Sequence, residues 1–161
     1  EELDAYLFFS KKDTCQKKKK NSFTTASILE LISPNGFTIQ IGRNHRQNEL
    51  ISLKMSKKGD LWFHSQECPG SHVVMKSSNG IYQEEDLQMS ADLAAFFSRA
   101  KSNKRVPVIM VPTKQLQKLK GAIAGTVNHR GGEILWGEPL KAKDHINRSS
   151  SRTQNALSSS S

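Results

Sequence analysis

Between Asp60 and Met75 the sequence DLWFHSQECPGSHVVM gathers Trp62, His64, Cys68, Ser71 and His72 around a Pro69-Gly70 pair, a density of aromatic, imidazole and turn-forming residues found nowhere else in the chain. Imidazoles move protons near neutrality and ligate metals, an indole stacks, and a serine or cysteine can act as a nucleophile. Three chemistries are therefore open here: acid–base or nucleophilic catalysis, a metal centre, and the holding of a polar ligand by hydrogen bonds and stacking. Catalysis requires a nucleophile, a base and an orienting group, and no recognised spacing joins Asp60, His64, Cys68, Ser71 and His72 in those roles. A metal centre would use the H-x3-C-x3-H spacing of His64, Cys68 and His72. Such spacing aligns ligands only on a helix, which Pro69-Gly70 breaks, and a fourth ligand for a tetrahedral ion is not evident. Binding asks least of these residues. A core aromatic with hydrogen-bonded histidines explains the same stretch equally well.

The elements that must position these groups are legible on either side. Asp60 to Ser65 alternates, so Leu61 and Phe63 point to one face of a strand and Trp62 and His64 to the other. Pro69-Gly70 turns the chain and Ser71 to Lys76 leaves it as a second strand, bringing His64 and His72 to one bend. Upstream, Ile28 onward (ILELI), the turn Ser33-Pro34-Asn35-Gly36 and FTIQIG form a hairpin. Asn44 then caps a short helix through Leu50 and Leu53 to Met55, ending near Gly59. Arg43, His45 and Arg46 cluster at its start, where free N–H groups and basic side chains could hold an anion, or where a solvated polar cap explains them as well.

Downstream, Ser77-Ser78-Asn79-Gly80 is a turn and Glu84 to Ala100 is the principal helix. Its stripe of Met89, Leu93, Phe96, Phe97 and Ala100 reads as core, and Arg99, Lys101, Lys104 and Arg105 at its far end complement the helix dipole. Val106 to Pro112 is a strand whose two prolines place it at an edge or a covered end. Thr113 to Lys120 reads as loop. Gly121 to Val127, the turn Asn128 to Gly132, and Glu133 to Gly137 form a closing hairpin. From Lys141 onward the composition turns to Ser, Lys, Arg and Asn, and residues 141–161 are expected to be a disordered tail.

At 161 residues, 35% of them hydrophobic, the chain suits one folded domain with polar ends rather than two cores. Glu1 to Phe9 reads as the end of an upstream helix or coiled coil, residues 10–27 as a basic linker, and residues 28–140 as the domain. Starting at Glu1, the chain reads as part of a longer protein, so a missing leader carries no information on compartment. No apolar run is long enough to span a membrane. Cys15 and Cys68 form no CxxC, and a reducing intracellular compartment is the default. The net charge of +9 points to phosphate-bearing partners, with Lys11 to Lys20 as an electrostatic helper. Arg and Lys for phosphates, Trp62 and the histidines for stacking or ribose contacts, and Asn and Gln for base edges together describe a surface for single-stranded or structured RNA.

The succession GFTIQIGRNHRQNELI, DLWFHSQECPGSHVVM, ADLAAFFSRA and KLKGAIAGTVNHRGGEILWGEP strongly resembles the NFACT-R domain. That domain is the RNA-binding C-terminal module of NFACT proteins, a group taking in bacterial RqcH and fibronectin-binding-protein-A-like proteins and eukaryotic NEMF. The likeness runs from about Phe37 to Pro139, and the WGEP and EELDAYL segments look most like the cyanobacterial and plant-plastid branch. The resemblance implies a ribosome-associated quality-control factor that binds large subunits blocked by peptidyl-tRNA and recruits tRNA to extend the stalled chain without a template. This piece would be a noncatalytic docking module for ribosomal RNA or tRNA, the large subunit and quality-control partner proteins. It would need no cofactor and no membrane, in the cytoplasm or plastid stroma. The RNA-binding residues expected from the resemblance are Arg43, Asn44, Gln47, Asn48, Asp60, Trp62, His64, Gly70, Ser71, His72, Lys118 and Lys120, to which the basic cluster at the helix start adds Arg46. Departures from the family pattern are Glu49, where aspartate is common, and Leu119 and Ile123-Ala124-Gly125, where the family carries proline and lysine.

The expected architecture is α+β, a mostly antiparallel sheet packed on one principal helix with one short helix besides. A protein-docking platform and a hydrolase centred on His64 and His72, acting on RNA or nucleotides, are the alternatives. The RNA reading requires the Arg43–Asn48 segment and the bend to share one solvent-reachable hollow.

Overall fold

The computed structural model describes residues 28–118 and 127–158. The expected upstream helix, the lysine run, Lys120 and Gly121 to Gly125 lie outside them. The fold is α+β. A six-stranded antiparallel sheet has the order β1-β2-β4-β3-β5-β8, formed by β1 (Leu29–Ile32), β2 (Thr38–Ile41), β3 (Leu61–Ser65), β4 (Val73–Met75), β5 (Val106–Pro112) and β8 (Glu133–Gly137). A separate two-stranded sheet pairs β6 (Leu116–Lys118) with β7 (Val127–His129). The helices are α1 (His45–Glu49), which runs on into a π-helical turn at Leu50–Lys54, α2 (Glu84–Phe96) and α3 (Pro139–Ser158).

Strand alternation builds the core as the sequence requires. Leu61 and Phe63 join Ile39, Ile41, Val73 and Met75 on the face covered by Met89, Leu93 and Ala94 of α2. Trp62, Val74 and Val111 occupy the opposite face with Ile28, Ile51 and Leu116. Large side chains sealed as fully as Phe63 and Leu93 each contribute about 1.5–3 kcal/mol. The start of α2 is tied to the β1–β2 turn through Asp86, whose carboxylate accepts from the Gln83 amide at 2.8 Å, the Asn35 amide at 3.0 Å and the Asn35 side chain at 2.9 Å.

Four expectations need correction. The chain beyond Lys141 is helical rather than an unfolded tail: Glu138 N–H donates to Asp92 at 2.8 Å, and Ala142 and Ile146 turn one face of α3 onto the core. Two apolar residues one turn apart were too sparse a stripe to outweigh the polar composition. The principal helix ends at Phe96, because Phe97 to Arg99 leave it to meet the β3–β4 bend. β5 is interior, with β3 on one side and β8 on the other. Its prolines occupy the second and last positions, which leaves Val108 to Val111 to complete the ladders. The closing hairpin is absent as such, since β7 pairs with β6, a strand at Leu116–Lys118 where loop or irregular turn was expected, and β8 pairs with β5. Gly131 and Gly132, at φ 64° and 123°, redirect the chain between the two sheets, and a Cβ on Gly132 would lie 2.9 Å from Val111 Cγ2.

Asp60, expected among the contact residues, is completely buried. It accepts from Lys57 N–H at 2.8 Å and Ser78 N–H at 3.2 Å and pairs with the Lys76 ammonium at 2.6 Å. Its carboxylate is thus committed to fastening the start of β3 to the end of β4. Replacing Asp60 with alanine leaves Lys76 facing a vacated polar cavity, and urea unfolding is expected to show a loss of about 3–5 kcal/mol. A loss below 1 kcal/mol would mean that the carboxylate contributes little to the fold.

Candidate functional site

The bend between β3 and β4 is gripped from two sides. On one, Gly70 forms an antiparallel bridge with Ser98; Ser71 N–H donates to Phe97 O and Arg99 N–H to Pro69 O, both at 2.9 Å. A Cβ on Gly70 would stand 2.8 Å from Ser65 Oγ and 3.0 Å from Ser98 Cβ, so any larger residue would make the Ser65 hydroxyl turn away and Ser98 give ground. On the other side, Gly42 N–H donates to His72 O at 2.9 Å and His72 N–H to Asn48 Oδ1 at 3.1 Å. Glu67 turns the loop with a φ of 61°, an uncommon conformation for a residue with a side chain.

A hollow of about 680 Å³ lies where these segments converge. The start of α1 contributes Arg43, Asn44, His45 and Asn48; the bend contributes Pro69, Gly70 and Ser71; the end of α2 and the turn beyond it contribute Phe96 to Arg99 and Lys101. None of these residues is acidic. Among the described residues, Arg99 and Lys101 have no carboxylate at ion-pair distance.

Asn44 caps α1 as its sequence predicts, accepting from Gln47 N–H at 2.9 Å, while Gln47 Oε1 accepts from Arg43 N–H at 2.9 Å and Asn44 O accepts from Asn48 N–H at 2.9 Å. The amides of Arg43, Gln47 and Asn48 are therefore satisfied within the segment. Attraction for anions by the Arg43 and Gln47 amides is thereby removed, and the side-chain cations around the hollow supply the positive charge. Gln47 and Asn48 are both buried, and they hold the segment's shape.

Behind the bend, on the opposite sheet face from α2, lies a cluster of rings. Trp62 stacks on His64 (5.6 Å between centroids, 5° between planes), meets His72 edge-on at 5.1 Å and approaches His129 at 5.7 Å; His64 and His72 are 5.2 Å apart. Trp62 Nε1 donates to Ser52 Oγ at 3.1 Å, and Ser52 Oγ is 2.9 Å from His72 Nδ1. This pattern fits a neutral His72 carrying its proton on Nε2. Burial, and then the neighbouring His64 imidazole, pull the His72 pKa down to about 3. Burial also lowers that of His64, against the opposing effect of hydrogen bonds to the backbone at Gly70 and Ser65.

Residues 23–131 match the family described as the NFACT protein RNA binding domain. The chain belongs to this family. Among curated proteins the domain is 36% identical over 124 residues to Rqc2 homolog RqcH of Bacillus subtilis (strain 168), covering 77% of this chain and 21% of that protein. It is 41% identical over 105 residues to Rqc2 homolog RqcH of Streptococcus suis (strain 05ZYH33), covering 65% and 19%. It thus spans about a fifth of the length of these relatives. Among solved structures, the C-terminal part of the fibronectin/fibrinogen-binding protein of Streptococcus suis superposes with a TM-score of 0.66 at 37% identity, covering 72% of this chain and 48% of that one.

In this NFACT RNA binding domain, five of the expected contact residues, Arg43, Asn44, Asn48, Gly70 and Ser71, share the hollow. Trp62, His64 and His72 are brought together, but as the ring cluster. Trp62 and His72 are 3% and 6% exposed, and burial keeps both from the ribose, phosphate or stacking contacts expected of them; His64 is partly exposed. Arg46 is exposed on α1, and Lys118 pairs with Glu49. Arg99, Lys101, Phe96 and Phe97 were missed, since helix-dipole charge and core stripe explained them fully; a basic run directly after paired aromatics was the available signal.

The buried imidazole has a pH consequence. His72 is neutral in the folded domain and has a pKa of about 6.5 when exposed in the unfolded chain, so below that value the unfolded chain binds the extra proton. Stability is full above about pH 6.5 and falls by about 1.4 kcal/mol per pH unit toward pH 3. Urea midpoints measured between pH 7 and pH 5 should drop accordingly and flatten in His72→Gln; equal slopes in both proteins would contradict a buried neutral ring.

Proposed function

We propose that this NFACT RNA binding domain is the noncatalytic RNA-docking module of a ribosome-associated quality-control factor, one that binds large subunits blocked by peptidyl-tRNA and supports tRNA recruitment for template-free tailing. The observation that carries the reading is the hollow in which Arg43, Arg99 and Lys101 stand around the Pro69–Ser71 bend with no acidic residue among its lining. Clustered cations gain from phosphate contact by releasing the counterions of a polyanion. The relatives named Rqc2 homolog RqcH support the ribosomal setting. Among the described residues no helix is long and apolar enough to cross a membrane.

The buried rings support binding over catalysis. Ser52 is fully sealed and His72 nearly so, and Trp62 already donates to the serine hydroxyl. A hydrolase centred on His64 and His72 would need both rings within reach of substrate, and His72 is sealed with its Nδ1 on Ser52. A protein-docking role finds a surface in the exposed Ile134, Trp136 and Leu140 of β8 and α3. Pull-downs of ribosomal particles with and without nuclease separate the two, since RNA docking is lost on digestion.

Affinity for large-subunit ribosomal RNA is expected to fall linearly on a log–log plot against salt. Arg43→Ala with Arg99→Ala should weaken binding and reduce the slope by about 1.5–2. A flat salt response, or an unchanged slope in the double variant, would sink the proposal.

A further inference from the structure

We infer that the hollow takes one unpaired nucleotide of a structured RNA, its phosphates on Arg43, Arg99 and Lys101 and its base against Phe96 and Phe97. This rests on the RNA-docking reading and deepens it by naming what enters the site. The volume of about 680 Å³ exceeds what a lone phosphate needs and lies within the range of small-molecule sites. Cations alone would suit any backbone. The two phenylalanines are the discriminating feature: both pack partly on the core, both stay partly exposed and line the hollow, and their rings meet edge-to-face at 5.0 Å and 86°. Aromatic surface opening into a basic hollow is of no use to phosphate but supports a base, every one of which has a π-face.

Polar groups are available for the sugar and base edge. Asn44 uses its Oδ1 to cap α1, which leaves the amide NH2 to donate, and the partly exposed Ser71 carries a hydroxyl. The Gly70–Ser98 bridge fixes the two sides relative to each other, so little ordering is needed on binding. A base held in a duplex stack cannot enter; a bulged or loop nucleotide can.

The test compares three RNA hairpins binding to the full chain: one with a single bulged adenosine, the same hairpin fully paired, and the same with an abasic residue at the bulge. The bulged hairpin should bind about 5- to 100-fold more tightly than the other two. Phe96→Leu, which keeps apolar volume for the fold, should narrow that ratio while leaving the salt slope intact. Arg99→Ala with Lys101→Ala should lower the slope by about 1.5 and weaken all three hairpins. Equal, salt-dependent affinity for all three overturns the nucleotide site and leaves RNA docking standing. Binding that ignores salt in all three overturns both.

Discussion

Where Gly70 meets Ser98, two segments distant in sequence run so close that a single added carbon would strike the Ser65 hydroxyl and crowd Ser98. That closeness lets two backbone bonds form together, from Ser71 to Phe97 and from Arg99 to Pro69, and these two make the bridge. The end of α2 and the β3–β4 bend become one rigid rim as a result. Everything the site offers depends on it. Without the rim, Arg99 and Lys101 would ride on a fraying helix end, and Phe96 and Phe97 would have no fixed relation to Arg43.

The other face of the bend is organised by a second, polar constraint. Gly42 leaves room for Asn48 to reach the His72 amide, with a hypothetical Cβ only 2.2 Å from Asn48 Oδ1. Behind it, Ser52 accepts from Trp62 and bonds the His72 ring, so the indole N–H, the serine hydroxyl and His72 Nδ1 satisfy one another. Neutral imidazoles stacked on an indole behave as shaped, hydrogen-bonding core residues. They stiffen the support beneath the hollow instead of touching what enters it, and the domain gives up acid tolerance in return.

Alternation and turn residues made the β1–β2 hairpin, the β3–β4 pair and the opposed faces of Leu61 with Phe63 and Trp62 with His64 readable, because period-two burial leaves a direct trace in sequence. The cap at Asn44 was equally plain. What escaped was decided at long range. Sequence placed Asp60, Trp62 and His72 near the right bend, yet whether a polar residue at a bend faces solvent or interior depends on partners such as Lys76 and Ser52, which local pattern does not reveal. Arg99 and Phe96 were passed over for the converse reason: a helix end with cations and a stripe with aromatics each had a sufficient local explanation. The destinations of β7 and β8 turned on two consecutive left-handed glycines, whose sequence signature is that of any hairpin turn.

The outer margin of β8 bears on how the molecule behaves in company. Trp136 is half exposed there with the Arg105 guanidinium 5.4 Å above its ring, Glu133 stands at the strand's first position, and Gly137 packs so closely on Ala91 of α2 that a Cβ would meet the Ala91 carbonyl at 2.3 Å. Charge at one end, a cation over the middle and a helix against the other leave a short, guarded rim. Such a rim resists, along the β8 edge, the edge-to-edge pairing by which open sheets aggregate.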